Sequence, residues 1–577
     1  MKILKIILIS TFFLYIVCLV FSTSNDFTQD LGRHLKLGEL IIKTKNIPKI
    51  NLFSYTNPNF PFLNHHWLSE VIFFLLSQIF GLNSLIILKL GLIFFSLAVV
   101  FKLALTKSSF VSAVLAGLVL SPLILERNGI RPEIFGYFFF SIILYILFTY
   151  PKNKKLIYFL PLIMVLWINI HISFVFGIFS ILLLIIKACL PDLRGQARLV
   201  RIDHKITFFL IFSLAILFVN PHGLKGVFYP FNIFQNYGYT IVENQSLFYL
   251  SQATFNPLIK YFFFISPLIV ISLIILIFSR HLTRGLLLLT FFMLTILQIR
   301  HLPFFILVAI PAVSQSINLL IDKIGNKWLN ISLLAAVVLV FINIGGIFFF
   351  VNNRYYLTFD NDKRFGIGYI NFGDKAIDFI YNNNLQNNIF NNFDIGGYLI
   401  YKLYPKYKIF IDNRPEAYPA EFVENIYKQL QIEPTIQEKF FKRYQIKTVI
   451  FGHTDQTQWG EIFASRILKD KNWRLVYLDP SIFILTADVK FSDIRDNKGN
   501  LKRLIDKENN YLNLLRLSRV FGFIEEKEMV QAAFDKAREL NPDSCSIKKN
   551  LYNYYLNNLS FYFYKASQLK NSSWYCF

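Results

Sequence analysis

The chain is poor in cysteine and in charge. Four Cys (Cys18, Cys189, Cys545 and Cys576) stand among 577 residues, and only 16% of the residues are Asp, Glu, Lys or Arg. Cysteines so few and so scattered exclude a disulfide-stapled module; they read as apolar fillers and say little about redox compartment. A low charge density beside 54% hydrophobic residues, with 64 Phe, excludes disorder and a purely soluble enzyme. Acidic residues are scarcer still, 36 against 59 Lys and Arg, for a net charge of +23. In a membrane protein that surplus points to anionic lipid or a phosphate-bearing substrate, and no nucleic-acid partner is expected.

What the chain does have is a series of apolar runs between residues 4 and 351, near or at the length a helix needs to cross hydrocarbon. Lys2 and Lys5 precede an apolar stretch at 6–21, longer than a usual signal core, so the first span is expected to remain uncleaved. Basic residues resist translocation and mark cytoplasmic loops. They cluster at Lys102 and Lys107, at Lys152, Lys154 and Lys155, over 187–205 with Arg194, Arg198 and Arg201, at Arg280 and Arg284, and at Lys323 and Lys327. Loops poorer in basic residues alternate with these: 126–132, the turn near His171, 220–256, and Arg300 with His301.

The alternation predicts about 11 spans with the N-terminus inside: 4–22, 84–101, 109–126, 133–150, 156–171, 173–190, 206–220, 257–279, 285–299, 302–320 and 329–351. It requires the apolar stretch 67–80, fourteen residues long, to lie in the interface or re-enter. The expected organisation is an α-helical polytopic membrane domain over 1–351 with a large external loop at 22–66. An extracytoplasmic α/β domain follows over 352–490, then a short helical tail over 491–577. The implied location is the cytoplasmic membrane, with the C-terminal domains outside. In the α/β region, β-branched runs predict strands at 388–393, 407–412, 448–452, 474–478 and 481–486, with a helix at 420–430. In the tail, QAAFDKARELNPD at 531–543 resembles the second helix and closing turn of a tetratricopeptide repeat, so the tail either caps the preceding domain or docks a protein partner.

Ionisable side chains are costly within the bilayer, so those at its edge carry the functional information. Asp26, Asp30 and His34 are spaced four apart, a spacing that would stack two carboxylates and an imidazole on one helix face, able to deprotonate a hydroxyl. The bland alternative is the solvated face of an interfacial helix. His65, His66 and Glu70 follow in HHWLSE; adjacent His point in different directions, which favours a substrate-facing role over a metal site. Arg127 and Arg131 in ERNGIRPE (126–133), and Arg300 with His301 in RHLP, are candidate cations for a phosphate, though Arg at a bilayer edge also snorkels to lipid. His171 and Glu243 are further outward candidates for substrate contact. Asp412 and Arg414 read as an internal ion pair, and Gly396 with Gly397 as a turn or bulge.

Three segments, DLGRHLKLGE (30–39), IPKINLFSYT (47–56) and HHWLSE (65–70), together with NNFDIGGYL (391–399) and FIDNR (410–414), resemble a group of bacterial multi-pass proteins with the layout of the integral-membrane GT-C glycosyltransferases. The resemblance covers roughly 1–490. It implies a sugar carried on a polyprenyl phosphate, a saccharide, lipid or protein acceptor, inversion at the anomeric carbon, and an external-loop carboxylate as base, the place held here by Asp30 or Asp26. Carboxylates of this kind would suit Mg²⁺ or Mn²⁺, but nothing in the sequence demands an ion. Two other readings use the same charges: a transporter or flippase of lipid-linked saccharide, and a non-catalytic envelope-assembly protein.

Overall fold

A computed structural model describes residues 2–150, 152–189, 204–234, 236–253, 256–322, 328–385, 388–557 and 570. Arg194, Arg198, Arg201, Lys323, Lys327 and Cys576 lie outside the described residues. Each of the eleven expected spans contains a helix. Six are long and apolar enough to cross a membrane: Lys2–Val20, Asn83–Ala104, Phe110–Arg127, Pro257–Phe278, Ile299–Ile321 and Ser332–Val351. Shorter apolar helices include Glu133–Thr149, Phe174–Ile186, His204–Phe218 and Leu282–Leu297. Position in the bundle follows from burial. Ile299–Ile321 is 78% buried and is the central helix, whereas Pro257–Phe278 and Ser332–Val351 are only 28% and 22% buried. The exposed Phe264, Phe278 and Phe341 on these outer helices present the apolar surface that lipid must cover.

Helix Trp67–Phe80, the stretch expected not to cross, packs against Leu31–Thr44 and Asn83–Ala104. At its start the His66 ring is 5.2 Å from that of His171, and just past its end the Leu82 carbonyl accepts a 2.8 Å hydrogen bond from Tyr369 of the C-terminal domain. Both of its ends therefore meet the same layer of loops.

The C-terminal domain is built on a four-stranded sheet in the order β1-β2-β4-β3. Here β1 is Ile389–Asn391, β2 Thr448–Gly452, β3 Arg474–Leu478 and β4 Ile482–Thr486. The β1–β2 pair is parallel, so a long crossover must join them. It carries helices Gly396–Leu403 and Pro434–Arg443, and β1, β2 and β4 are buried throughout. The expected strand at 407–412 does not join this sheet. Its backbone is satisfied elsewhere: Ile409 pairs with Ser54 of the first loop, and Phe410 N donates to the Asn391 side chain at 2.9 Å. Gly396 and Gly397 start a helix where a turn was expected. Gly397 packs so close that a Cβ there would come 2.9 Å from the Gln29 carbonyl.

The first loop and the C-terminal domain thus form one cap on the bundle. Bridges Ser22–Phe365 and Ser24–Tyr369 join them, and helix Leu31–Thr44 packs against both Trp67–Phe80 and Gly396–Leu403. Asp412 and Arg414 form the expected ion pair, at 2.7 Å and with each side chain at most 1% exposed. The tail contains a packed helix pair, Tyr511–Phe523 and Lys527–Leu540, and docks on the same cap. Asp360 accepts from Tyr511 and Ser544, and Arg519 donates to the His453 and Asp455 carbonyls. Cys545 takes part in a disulfide and is not the apolar filler expected.

Candidate active site

Between the cap and the bundle lies a polar cavity of about 520 Å³. Residues distant in sequence line it: Asp30, Arg33 and His34 from the first loop and its helix, His65 and His66, then Arg127, Arg131 and Glu133, His171, Glu243 and Arg300. The C-terminal domain closes it with Phe393, Asp394, Asn413 and Glu416. A second chamber of about 330 Å³ shares Gln29, Arg127, Arg131, Glu133 and Glu243 with the first, and adds Asp26, Glu126 and Lys363.

The two candidate bases have different surroundings, and the expected shared helix face is not formed. Asp26 opens a three-residue turn, Asp26–Thr28, while Asp30 caps the start of helix Leu31–Thr44 and His34 lies in its first turn. The Asp26 side chain is spent on structure: one oxygen accepts from the Ser24 hydroxyl at 2.5 Å and from Ile130 N at 2.9 Å. Its other oxygen leaves no room for a side chain at residue 129, since a Cβ on Gly129 would sit 2.6 Å from it. Burial alone would raise the Asp26 carboxyl, but Lys363, Lys89 and these hydrogen bonds hold it below the usual range. Asp30 faces the larger cavity. Its Oδ1 accepts from Arg33 Nε at 3.1 Å and Asn413 Nδ2 at 2.9 Å, while Oδ2 has the Arg131 guanidinium at 3.7 Å.

The three arginines come together. Arg127 pairs with Glu133 at 2.8 Å and Glu243 at 2.5 Å; Arg131 bonds Glu243 and Gln29; Arg300 donates to Asn244 at 2.7 Å. Burial alone would raise Glu243, yet Arg127 and Arg131 keep its carboxyl well below the usual range. His301 stands apart from them, with its Nε2 3.2 Å from Gln298 and its ring against Phe176, and it does not line either chamber.

His34, His65, His66 and His171 form a chain of rings, with His65 and His66 3.9 Å apart and His34 and His66 5.5 Å apart. Burial lowers the pKa of His34, His65 and His66, that of His65 to about 3, so these rings act as neutral hydrogen-bonding groups. Glu70 lies behind them and outside the cavity lining, where it accepts from Asn64 at 2.6 Å and sits 3.0 Å from His34 Nδ1. Its place is beside an imidazole and not on the cavity wall where the sequence reading put it. Among the described residues, no group of three or more His, Cys, Asp or Glu is arranged to hold a metal ion.

Several lining residues escaped the sequence reading. Arg33, Glu133, Asp394 and Asn413 stand inside the segments quoted above, but nothing in their spacing revealed which of them would face inward. Tyr229, Tyr237, Tyr239 and Glu416 had no motif at all.

Fold and site together define an α-helical, multi-pass membrane protein whose loops and α/β domain enclose a charged cavity at one end of the bundle. Among solved structures, the chain is similar to the archaeal oligosaccharyltransferase AglB from Archaeoglobus fulgidus, determined in complex with an inhibitory peptide and a dolichol-phosphate. That match has 10% identity over 79% of this chain and 70% of the other, with a TM-score of 0.48. The chain is also similar to ArnT from Cupriavidus metallidurans bound to undecaprenyl phosphate, with 11% identity over 84% of this chain and 98% of that one, and a TM-score of 0.48. No family model and no curated protein matches the chain.

Proposed function

We propose that the protein transfers a sugar from a polyprenyl-phosphate carrier to an acceptor in this cavity, on the extracytoplasmic face of the cytoplasmic membrane. The observation that carries the reading is the meeting of the Asp30 carboxylate with Arg131, at 3.7 Å, in a cavity that Arg127 and Arg300 also line. Inverting transfer needs a base for the acceptor proton and fixed cations for the departing phosphate. The acceptor oxygen attacks the anomeric carbon and its proton passes to Asp30. The bond from carbon to phosphate oxygen breaks, and its electron pair leaves with the phosphate, which the arginines stabilise.

Asp30 is preferred to Asp26 because Asp26 is hydrogen-bonded into the loop that carries Ile130. The alternation of basic loops supports the extracytoplasmic side. Charged groups gathered at one end of the bundle favour transfer over transport, which tends to place them at the midplane. The test is Asp30→Asn in membranes supplied with a panel of labelled polyprenyl-phosphate sugars. Transfer should fall about 10²- to 10⁴-fold. Full activity in that variant would remove Asp30 as base, and no transfer from any such donor by the native chain would remove the reading itself.

A further inference from the structure

Glu243 differs from the other acids around the arginines in how it is held. Glu133 is the first residue of a seventeen-residue helix, fixed by the bundle. Glu243 rides on a loop whose only regular element at that point is the three-residue turn Val242–Asn244. Together with Asn244 it engages all three guanidinium groups: Arg127 and Arg131 through its carboxylate, Arg300 through the neighbouring amide. The same loop is anchored away from the arginines on the C-terminal domain, where the Tyr239 ring stacks 3.9 Å from that of Phe393 and Asn236 donates to Glu424 at 3.0 Å.

Removing Glu243 from its seat strands neither arginine. Arg127 keeps Glu133, and Arg131 keeps Gln29 and Asp30. What opens is an acceptor position shared by two guanidinium groups, the arrangement that phosphate oxygens fill best. The exchange conserves charge for the sugar-loaded carrier, a phosphodiester with a single negative charge as Glu243 has, and the bare carrier, a monoester, brings up to one charge more.

Resting on the function proposed above, we propose that Glu243 is an exchangeable internal anion: it occupies the carrier's phosphate seat in the empty protein and is displaced when the carrier enters. The consequence is an inverted mutational sign. A residue that contacts the donor weakens binding when removed, whereas a residue that competes with the donor strengthens it.

The experiment measures undecaprenyl phosphate binding to the full chain in phosphatidylcholine nanodiscs, for the native protein and for Glu243→Gln, Glu243→Asp and Arg131→Gln. Glu243→Gln should tighten the Kd at least tenfold. Glu243→Asp, whose carboxylate is one methylene shorter, should tighten it less and serves if the Gln variant folds poorly. Arg131→Gln should weaken binding. Equal or weaker binding by both Glu243 variants, with loss in Arg131→Gln, overturns this inference and leaves the proposed function standing. No saturable binding by any of the four proteins overturns both. Inorganic phosphate is the second probe: if Glu243→Gln tightens it alone, the seat serves free phosphate and the inference fails. Tighter binding of the lipid in Glu243→Gln, beside an Asp30→Asn variant with full transfer, upholds the inference and removes the base.

Discussion

Replacing Arg414 by Met should open the cap and disorder the base it holds. Arg414 and Asp412 are fully buried and joined by two hydrogen bonds, of 2.7 and 2.8 Å. The guanidinium also donates to Asn51 at 3.1 Å and lies between the Phe53 and Phe62 rings, 4.9 and 4.7 Å away, so it ties the first loop to the C-terminal domain. Met preserves the apolar stem but leaves Asp412 buried without its cation, its side chain keeping Tyr418 at 2.8 Å. Breaking one partner of such a pair costs about 3–5 kcal/mol, and hydrating Asp412 by lifting the loop recovers part of that. At the lower end, about 3 kcal/mol is a roughly 150-fold loss of protection against local opening. Hydrogen exchange read by mass spectrometry over 50–56 and 407–414 measures it. Asn413, between the two, donates to Asp30 at 2.9 Å, so transfer should fall as well. The double variant Arg414→Met with Asp412→Asn should recover most of the protection, since no uncompensated charge remains. A loss of less than about tenfold in the single variant, or no recovery in the double, would refute the reasoning.

Burial, and then the neighbouring Asp455, pushes Asp394 up to about 7. The folded protein therefore binds this proton more tightly than the unfolded chain, whose carboxyl titrates near 3.8, and stability contributed here falls as pH rises from about 4 to about 7. Thermal unfolding followed against pH should show that fall, and Asp394→Asn should flatten it. Gly129→Ala puts a methyl 2.6 Å from the Asp26 carboxylate and should cost about 1–3 kcal/mol, read as faster hydrogen exchange at Ile130. Asp26→Asn should cut transfer far less than Asp30→Asn, and comparing the two rates in the same membranes decides between them. Glu70→Gln should change the orientation of His34 without removing the base, so a drop in transfer equal to that of Asp30→Asn would count against its supporting place.

The helices were legible because lipid imposes one strong rule: a long apolar run must be helical. The charge pattern then assigned Arg127, Arg131, His171, Glu243 and Arg300 to loops on one side, and these are the groups that meet in the cavity. What could not be read was direction. Asp26 and Asp30 looked equivalent at a spacing of four, but the helix begins only at Leu31, so the two carboxylates face different chambers. The segment 407–412 had strand composition, but within it Ile409 forms only an isolated bridge. Its hydrogen-bonding partner is the first loop, more than 350 residues earlier in the chain, and no local signal reports such a pairing. His301 follows Arg300 directly and shared its expected role, yet the turn Ile299–His301 points the two side chains to different neighbours.

The net charge of +23 invited a phosphate-binding reading, but the cavity itself does not hold the surplus. Its lining includes four arginines (Arg33, Arg127, Arg131, Arg300) against five carboxylates (Asp30, Glu133, Glu243, Asp394, Glu416). The excess basic charge therefore lies elsewhere on the chain. Under the proposed function, recognition of the phosphate depends instead on arrangement: guanidinium groups from three parts of the chain line one cavity, which Asp394 and Glu416 of the C-terminal domain also line. On that reading the base and the phosphate seat are interleaved: Asp30 stands 3.0 Å from Arg33 and 3.7 Å from Arg131, beside the guanidinium groups that would hold the phosphate. A leaving group and an attacking group need opposite electrostatic surroundings on either side of one carbon. Under the proposed function, Asp30 of the first loop and the arginines of the loops between the later helices would supply them from separate parts of the chain.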